Sequence, residues 1–145
     1  DKMGEIVWAL NEKNDTLSDL LSYTRSYAVE YLEQNGIKCH VEEPDSIPQL
    51  TVSGEFRRNI YLTVKESLHN IVKHAQATDV SIQIDIGKLL IIKISDNGIG
   101  INNSARSEFG NGLISMRNRM RDLGGNFEIL SKDGTEVTLK APINY

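Results

Sequence analysis

The sequence is poor in the residues that build cross-links and metal centres. Its 145 residues include one cysteine, Cys39, and three histidines. A single thiol excludes a disulfide within the chain, which fits a reducing compartment. So few scattered ligands give no cluster with the spacing of a metal site. Cys39 alternates with Ile37 and Val41, which predicts a small buried side chain on a strand.

Long apolar runs and an excess of basic charge are also missing. No run approaches the ~20 apolar residues that span a bilayer, and no signal peptide is visible. The net charge of -4 does not favour nucleic acid. We therefore expect neither membrane contact nor nucleic-acid binding by this domain. We expect the small basic clusters, Arg57-Arg58 and Arg117/Arg119/Arg121, to be solvated faces.

What remains is the composition of an ordinary globular domain, with 39% hydrophobic and 25% charged residues. The chain begins at Asp1 without an initiator Met, so we expect a fragment of a longer protein. Residues 1–14 hold a short apolar patch within "EIVWALNEKN", which we interpret as a linker or the end of a preceding helix. Residues 15–145 are long enough for one domain with its own core.

Periodicity along residues 15–145 predicts the elements of this domain. Apolar residues recur with a helical period between a cap at Asp15 or Thr16 and Gly36. A second helix runs from Ser53 to about Ala77, and a third begins at "GNGL" and ends at Gly124-Gly125. Alternating runs near 37–41, 80–86, 89–95, 126–130 and 135–141 predict strands. The order α-β-α-β-β-α-β-β favours an α+β fold, a two-layer sandwich with helices on one face of a mixed, mostly antiparallel sheet.

One stripe of the second helix is polar. Glu66, Asn70, Lys73 and His74 follow each other at i, i+4, i+7 and i+8, which places them on one side of an α-helix. Such a stripe aims a carboxylate, an amide and a cation at the same space. A solvated helix face explains the same pattern, so the helix alone leaves both readings open.

The stretch "ISDNGIGI" ends the predicted central strand. Asn-Gly after a strand is a strong signal for a tight turn. Yet Asp96 closes a buried strand, where a carboxylate must find donors, and Gly98 and Gly100 permit close approach of a ligand. After a polar loop from Asn102 to Glu108, glycines open the third helix, where exposed N–H groups suit phosphate. These features together favour a ligand site over a plain turn.

Three motifs in this order resemble the nucleotide-binding boxes of the GHKL ATPase superfamily. They are "ESLHNIVKHA" (66–75), "DNGIGI" (96–101) and "GNGLISMRNRM" (110–120), followed by "DGTEVTLKAP" (133–142), which resembles the closing strand pair. Within the superfamily, "MGEIVWALNEKNDTLSDLL" and the short loop between the glycine boxes are most similar to two-component sensor histidine kinases. The resemblance implies a Bergerat-type ATP-binding fold and an enzyme, a histidine protein kinase acting in signal transduction.

The resemblance also implies roles for individual residues. Asp96 would accept a hydrogen bond from the adenine amino group, and Thr135 would support the adenine. Asn70 would coordinate Mg²⁺, Lys73 would contact phosphate, and Glu66 would orient or deprotonate the nucleophile. The remaining residues implied to bind ATP are His74, Gly98, Ile99, Gly100, Ile101, Gly110, Asn111, Gly112 and Leu113. ATP and Mg²⁺ are the implied cofactors.

The implied partners are a dimerisation domain of the same parent, which carries the phosphoacceptor histidine outside this chain, and a response regulator. A cytoplasmic location follows, with a parent that could be membrane-anchored. The sequence departs from the family in one place, because only eight residues, 102–109, separate Ile101 from Gly110, where many histidine kinases have a longer lid. Two alternatives stay open: a serine kinase of the anti-sigma-factor kind, and a nucleotide-binding regulatory module without phosphotransfer.

Overall fold

A computed structural model of the chain describes residues 15–99, 103–131 and 133–143, and within 103–111 it describes the backbone alone. The predictions for residues 1–14 and for Gly100, Ile101 and Asn102 lie outside these residues. So do those for the side chain of Asn111. The described ranges contain every predicted helix and strand, in the predicted order.

The domain has three helices and five strands in its described part. The helices are α1 (Leu17–Gln34), α2 (Gly54–Asn70) and α3 (Asn103–Asp122), and α2 continues into a π-helical turn, Ile71–Ala75. The strands are β1 (Lys38–Glu42), β2 (Asp79–Ile86), β3 (Leu89–Asp96), β4 (Asn126–Ser131) and β5 (Thr135–Pro142).

The five strands form one mixed sheet in the order β1-β2-β3-β5-β4. β1 pairs parallel to β2, and the other pairs are antiparallel. β3 is therefore the central strand, as its apolar sequence predicted. Because β5 pairs antiparallel to β3, the start of β5 lies beside the end of β3, with Ser95 opposite Glu136.

Polar caps set the starts of the first two helices. The Thr16 side chain accepts a hydrogen bond from the Asp19 N–H at 3.1 Å, and the Ser53 side chain accepts one from the Phe56 N–H at 3.0 Å. Each bond satisfies one of the N–H groups that the first turn of a helix leaves without a partner. α1 ends where Gly36 adopts a φ of 74°, as its glycine predicted.

The two faces of the sheet differ in character. One face packs against the helices through apolar residues at alternate positions, among them Val80, Ile82, Leu90, Ile92, Ile94, Val137 and Leu139. The opposite face carries residues that are exposed or half-buried and largely polar, such as Lys93 and Glu136, whose Nζ and Oε1 atoms lie 3.5 Å apart. This arrangement is the predicted two-layer α+β sandwich.

Two single-residue predictions and one boundary are wrong. Cys39 is half-buried instead of buried, because β1 is an edge strand. Arg57 is buried, not solvated, and its guanidinium donates to the carbonyl of Val52. The predicted loop from Asn102 to Glu108 is also wrong, since α3 is already helical from Asn103.

Candidate active site

The end of β3, the start of β5 and the end of α2 meet on the helix-covered face of the sheet. The antiparallel pairing of β3 with β5 brings Asp96, the last residue of β3, close to Thr135, the first residue of β5. The end of α2 lies above them, with Ala75 against the loop that follows β3. Residues far apart in the sequence therefore line one space.

A cavity of about 340 Å³ opens at this point, part of it continuous with solvent. Small-molecule sites are usually mainly apolar, with a few polar groups that fix the orientation of the ligand. The lining is mainly apolar with a few polar groups, as such sites are. The lining residues are Ser67, Asn70, Ile71, His74, Ala75, Asp96, Met116, Ile129, Thr135 and Val137.

Asp96 is the buried carboxylate of the cavity. Its Oδ1 atom accepts two hydrogen bonds, from the Gly98 N–H at 2.8 Å and the Thr135 N–H at 3.3 Å. Its Oδ2 atom is buried without a hydrogen-bond partner. Burial raises the pKa of this carboxyl, and the two N–H groups oppose that rise. The cavity thus presents one acceptor atom that a ligand's donor group would satisfy.

Glycines on both sides allow the backbone to close around Asp96. A Cβ atom on Gly98 would lie 2.1 Å from the carbonyl oxygen of Ala75, and one on Gly134 would lie 2.0 Å from that of Asp96. The Ile99 N–H also donates to the Ala75 carbonyl at 2.8 Å. The loop after β3 is therefore packed directly on the end of α2, and Gly134 has a role in the site beyond the predicted hairpin turn.

The π-helical turn changes which side chains of the polar stripe enter the cavity. Hydrogen bonds of the i→i+5 type turn the chain less per residue than the roughly 100° of an α-helix. Asn70 and His74 both line the cavity, whereas Lys73 is exposed and lies outside its lining. Lys73 therefore does not belong to the part of the stripe that lines the cavity. Its phosphate contact stays a prediction.

Glu66 lies one turn before Asn70 and faces α3. A Cβ atom on Gly112 would approach the Oε1 atom of Glu66 to 2.9 Å. Gly110 and Gly112 were predicted at the start of a helix, but both lie inside α3, which begins at Asn103. Here Gly112 leaves room for the Glu66 carboxylate, and Leu113, the next residue, is buried in the core.

Comparison with known families identifies this arrangement. The family described as histidine kinase-, DNA gyrase B- and HSP90-like ATPase matches residues 56–145. That match covers more than half of the chain, including α2, the loop after β3 and the closing strands. The chain belongs to this ATPase family.

Curated relatives of this ATPase domain are sensor proteins. The chain is 34% identical over 115 residues to the signal transduction histidine-protein kinase/phosphatase UhpB of Salmonella typhimurium, covering 79% of this chain and 22% of that protein. It is 31% identical over 101 residues to the sensor protein VraS of Staphylococcus saprophyticus, covering 68% and 29%. The chain thus spans under a third of the length of these relatives.

Solved structures share the fold of the ATPase domain. The histidine kinase domain of the blue-light activated histidine kinase from Erythrobacter litoralis EL346 matches with a TM-score of 0.74 at 22% identity, over 99% of this chain and 75% of that one. The histidine kinase AdeS of Acinetobacter baumannii matches with a TM-score of 0.68 at 16% identity, over 99% and 76%. At these identities the likeness concerns the fold alone.

Several lining residues of the ATPase cavity were not predicted from the sequence. Ser67 donates to the Thr63 carbonyl at 2.8 Å, and its Oγ atom lies 3.4 Å from the Sδ atom of Met116. Ile129 lines the opposite wall. Their apolar or small side chains fit the core pattern equally well, so no sequence signal separates them from the core. Asn97 belongs to the Asn-Gly pair, a turn signal that gives no indication of a role for its side chain.

His69 belongs to a different cluster of the ATPase domain. Its Nε2 atom lies 2.6 Å from the hydroxyl of Tyr27, and its ring stacks on Tyr31 with centroids 4.5 Å apart. Tyr23 and Tyr61 extend this set of rings between α1 and α2. We call these five residues the tyrosine cluster, and none of them lines the cavity.

The described part of the ATPase domain contains neither a separate metal-ligand cluster nor a helix that could span a membrane. Among those residues, no group of three or more His, Cys, Asp or Glu side chains could hold a metal ion. None of the described helices has the length and apolar character needed to cross a bilayer.

Proposed function

We propose that this chain is the ATP-binding catalytic domain of a sensor histidine kinase. In this proposal the domain transfers the γ-phosphate of ATP to a histidine on a separate dimerisation domain of its parent protein. The observation that carries it is the buried Oδ2 atom of Asp96, which lacks a partner inside an apolar cavity. The exocyclic amino group of adenine is a donor that matches it, and the apolar walls suit a purine ring.

The same orientation assigns the rest of the nucleotide. Thr135 lies beside Asp96 and would support the adenine, and His74 would line the base or ribose. Lys73, which is exposed, would contact the phosphates, and so would Gly110 and Gly112. Ile99, Gly100, Ile101, Asn111 and Leu113 complete the proposed contacts.

Asn70 fits the place of a magnesium ligand. Mg²⁺ prefers oxygen ligands and binds with few protein groups when phosphates and waters supply the others. The amide of Asn70 is half-buried and lines the cavity, so one oxygen is available there. When bound, the ion would neutralise charge on the phosphates.

Glu66 is the proposed group that orients or deprotonates the attacking histidine. It is half-buried at the α2–α3 contact, one helical turn from Asn70. An imidazole nitrogen attacks the γ-phosphorus in line as the bond to the bridging oxygen breaks, and a nearby carboxylate can take the proton that the imidazole loses.

The relatives support the wider setting. Proteins named as histidine-protein kinase and sensor proteins suggest a parent with a dimerisation domain and a response regulator as the next phosphate acceptor. We propose that the domain itself works in the cytoplasm, where ATP is available, whether or not the parent is anchored in a membrane.

Calorimetric titration with ATP and ADP tests the binding site. Asp96→Asn should weaken both nucleotides by about tenfold or more, because one hydrogen bond to a charged acceptor is lost. Asp85→Asn changes an exposed aspartate on the outer face of the sheet and is the control. It should bind both nucleotides with the same affinity as the unmutated chain. Unchanged affinity in Asp96→Asn would refute the adenine assignment.

The magnesium role needs a titration of its own. Mg²⁺ should strengthen ATP binding to the unmutated chain and to the control Asn118→Ala, which changes an exposed asparagine of α3. The enhancement should be lost in Asn70→Ala. Equal enhancement in Asn70→Ala and the control would contradict the role.

The type of kinase is tested in the full-length parent. A histidine kinase gives a phosphoprotein that is labile in acid and stable in base. An acid-stable phosphoserine would indicate the serine-kinase alternative, and nucleotide binding without any phosphoprotein would indicate the regulatory module.

A further inference from the structure

Asn97 has an exposed side chain that nevertheless makes three hydrogen bonds. Its Oδ1 atom accepts from the backbone N–H groups of Thr78 at 2.9 Å and of Asp79 at 3.0 Å. Its Nδ2 atom donates to the Oγ1 atom of Thr78 at 2.8 Å. All three bonds of the Asn97 amide are therefore made to two consecutive residues, Thr78 and Asp79.

The Asn-Gly pair is not used here as a left-handed turn. A two-residue type I′ turn requires positive φ at both central positions. Among the described non-glycine residues, only Gln76 and Asp133 have positive φ, and Gly98 is not among the described glycines that do. The sequence therefore needs asparagine at position 97 for its side-chain amide and not for its backbone conformation.

The bonds of Asn97 join two segments that both belong to the site. Thr78 is the last residue of the connection from the π-helical turn to β2, and Asp79 is the first residue of β2. Asn97 itself follows Asp96, and its backbone N–H donates to the Asp79 carbonyl at 3.3 Å. Two residues later, the Ile99 N–H holds the Ala75 carbonyl. On one side of Gly98 the loop is thus attached to Thr78 and Asp79 at the start of β2, and on the other side to Ala75 at the end of the π-helical turn.

We propose that Asn97 is a positioning residue that holds the Asp96 loop against the start of β2 and so against the π-helical turn before it. With the amide in place, Asp96 is held where it lines the cavity together with Asn70 and His74. Without it, the loop keeps its backbone bonds but loses three side-chain bonds, so the Gly98 N–H that orients the carboxylate is held less firmly. This inference rests on the proposed adenine site, because its effect is on the recognition of the base.

Base preference separates positioning from simple destabilisation. Guanine carries a carbonyl oxygen where adenine carries its amino group, so a correctly aimed Asp96 accepts from adenine and repels guanine. Loss of aim should lower ATP affinity and reduce the preference for ATP over GTP. A variant that only unfolds more easily would lose both nucleotides in parallel and keep the preference.

The experiment measures ATP and GTP affinity of the 145-residue chain by displacement of a fluorescent ATP analogue. Asn97→Ala should bind ATP about tenfold more weakly, from the loss of its neutral hydrogen bonds, with a reduced ATP preference. Thr78→Ala, which removes one of the three bonds, should show a smaller loss of the same kind. Asn118→Ala is the matched control and should change neither value.

A double-mutant cycle tests whether Asn97 acts through Asp96. In an Asp96→Asn background, Asn97→Ala should have little further effect on ATP affinity. Unaltered binding in Asn97→Ala, a parallel loss of ATP and GTP, or additive effects in the cycle would overturn the proposal. If Asn97→Ala does not fold, Thr78→Ala decides, and an unchanged ATP preference there overturns it. Failure of the unmutated 145-residue chain to bind ATP at all would instead refute the proposed function.

Discussion

Asp96 makes the domain less stable in exchange for an acceptor in the cavity. Its pKa is raised by burial, so the folded state holds the proton more tightly than the unfolded chain. In the window between the ordinary Asp pKa, about 4, and the raised pKa, the folded state binds more protons. Stability therefore falls as pH rises through that window.

We expect Asp96→Asn to raise the melting temperature of the nucleotide-free domain at neutral pH. The gain should grow as pH rises from about 4 and become constant above the raised pKa, because the substitution removes an unfavourable buried charge. Thermal unfolding at a series of pH values checks this. A melting temperature lowered at neutral pH, or a difference that shrinks with rising pH, would contradict it.

Gly98 has no room for a side chain. In Gly98→Ala the added Cβ would meet the Ala75 carbonyl, a backbone atom of α2 that cannot swing aside. We expect a loss of about 1–3 kcal/mol in the free energy of unfolding, the usual cost of overpacking, together with weaker nucleotide binding. Chemical denaturation and ATP titration measure the two effects.

Gly87→Ala is the matched control for this substitution. Gly87 lies in the turn between β2 and β3, and an added Cβ there meets no atom within 4 Å. The affinity of Gly87→Ala for ATP should equal that of the unmutated chain. If Gly98→Ala proved as stable as Gly87→Ala, the loop would not be packed on α2 as described.

At the scale of an element, α3 combines two requirements that oppose each other. Glycine inside a helix costs roughly 1 kcal/mol relative to alanine, yet Gly112 is retained where Glu66 approaches it. Gly112→Ala should therefore leave the fold equally or more stable, because the Glu66 side chain can move away from the new Cβ. That movement displaces the proposed catalytic carboxylate.

We expect Gly112→Ala to slow phosphotransfer in the parent protein about tenfold. This is a partial loss of the larger contribution that a general base usually makes. ATP affinity should change less than the rate. Autophosphorylation rates at saturating ATP, compared with thermal unfolding of the isolated domain, separate these effects. Full transfer activity in Gly112→Ala would show that Glu66 needs no fixed place against α3.

The elements were largely predictable from periodicity, and the exceptions have local causes. Caps at Thr16 and Ser53 and the alternation in β2 and β3 are short-range signals that the structure follows. The π-helical turn ends at Ala75, whose carbonyl accepts a hydrogen bond from a loop more than twenty residues later in the chain, and no local pattern records that contact. The early start of α3 likewise overrides two glycines, Gly110 and Gly112, that normally mark a helix end.

At the scale of the whole molecule, the sequence could place the site but not its geometry. Asp96 and Asn70 were identified by type and spacing, and both line the cavity. Lys73 was assigned to the same face because an ideal α-helix was assumed. Gly134 and Asn97 were missed because a close approach and a long-range side-chain bond are visible only in the folded chain.

We predict that the isolated chain binds ATP without becoming phosphorylated on histidine. His40 is exposed on the edge strand, His69 is held in the tyrosine cluster, and His74 lines the cavity itself, so none can attack the γ-phosphate in line from outside. Incubation with labelled ATP should give no acid-labile phosphoprotein, and addition of the parent's dimerisation domain should restore it. A signal from the chain alone that disappears in His69→Gln or His74→Gln would place the acceptor within this domain.

The tyrosine cluster also makes the domain its own spectroscopic probe. Four of the five tyrosines lie in it, with ring centroids of Tyr23 and Tyr61 5.1 Å apart and those of Tyr27 and Tyr31 5.6 Å apart. Rings at this spacing couple their electronic transitions, so near-ultraviolet circular dichroism of tyrosine reports the packing of α1 on α2. A change of that band on nucleotide addition would therefore measure movement of α2 relative to α1, without any attached dye.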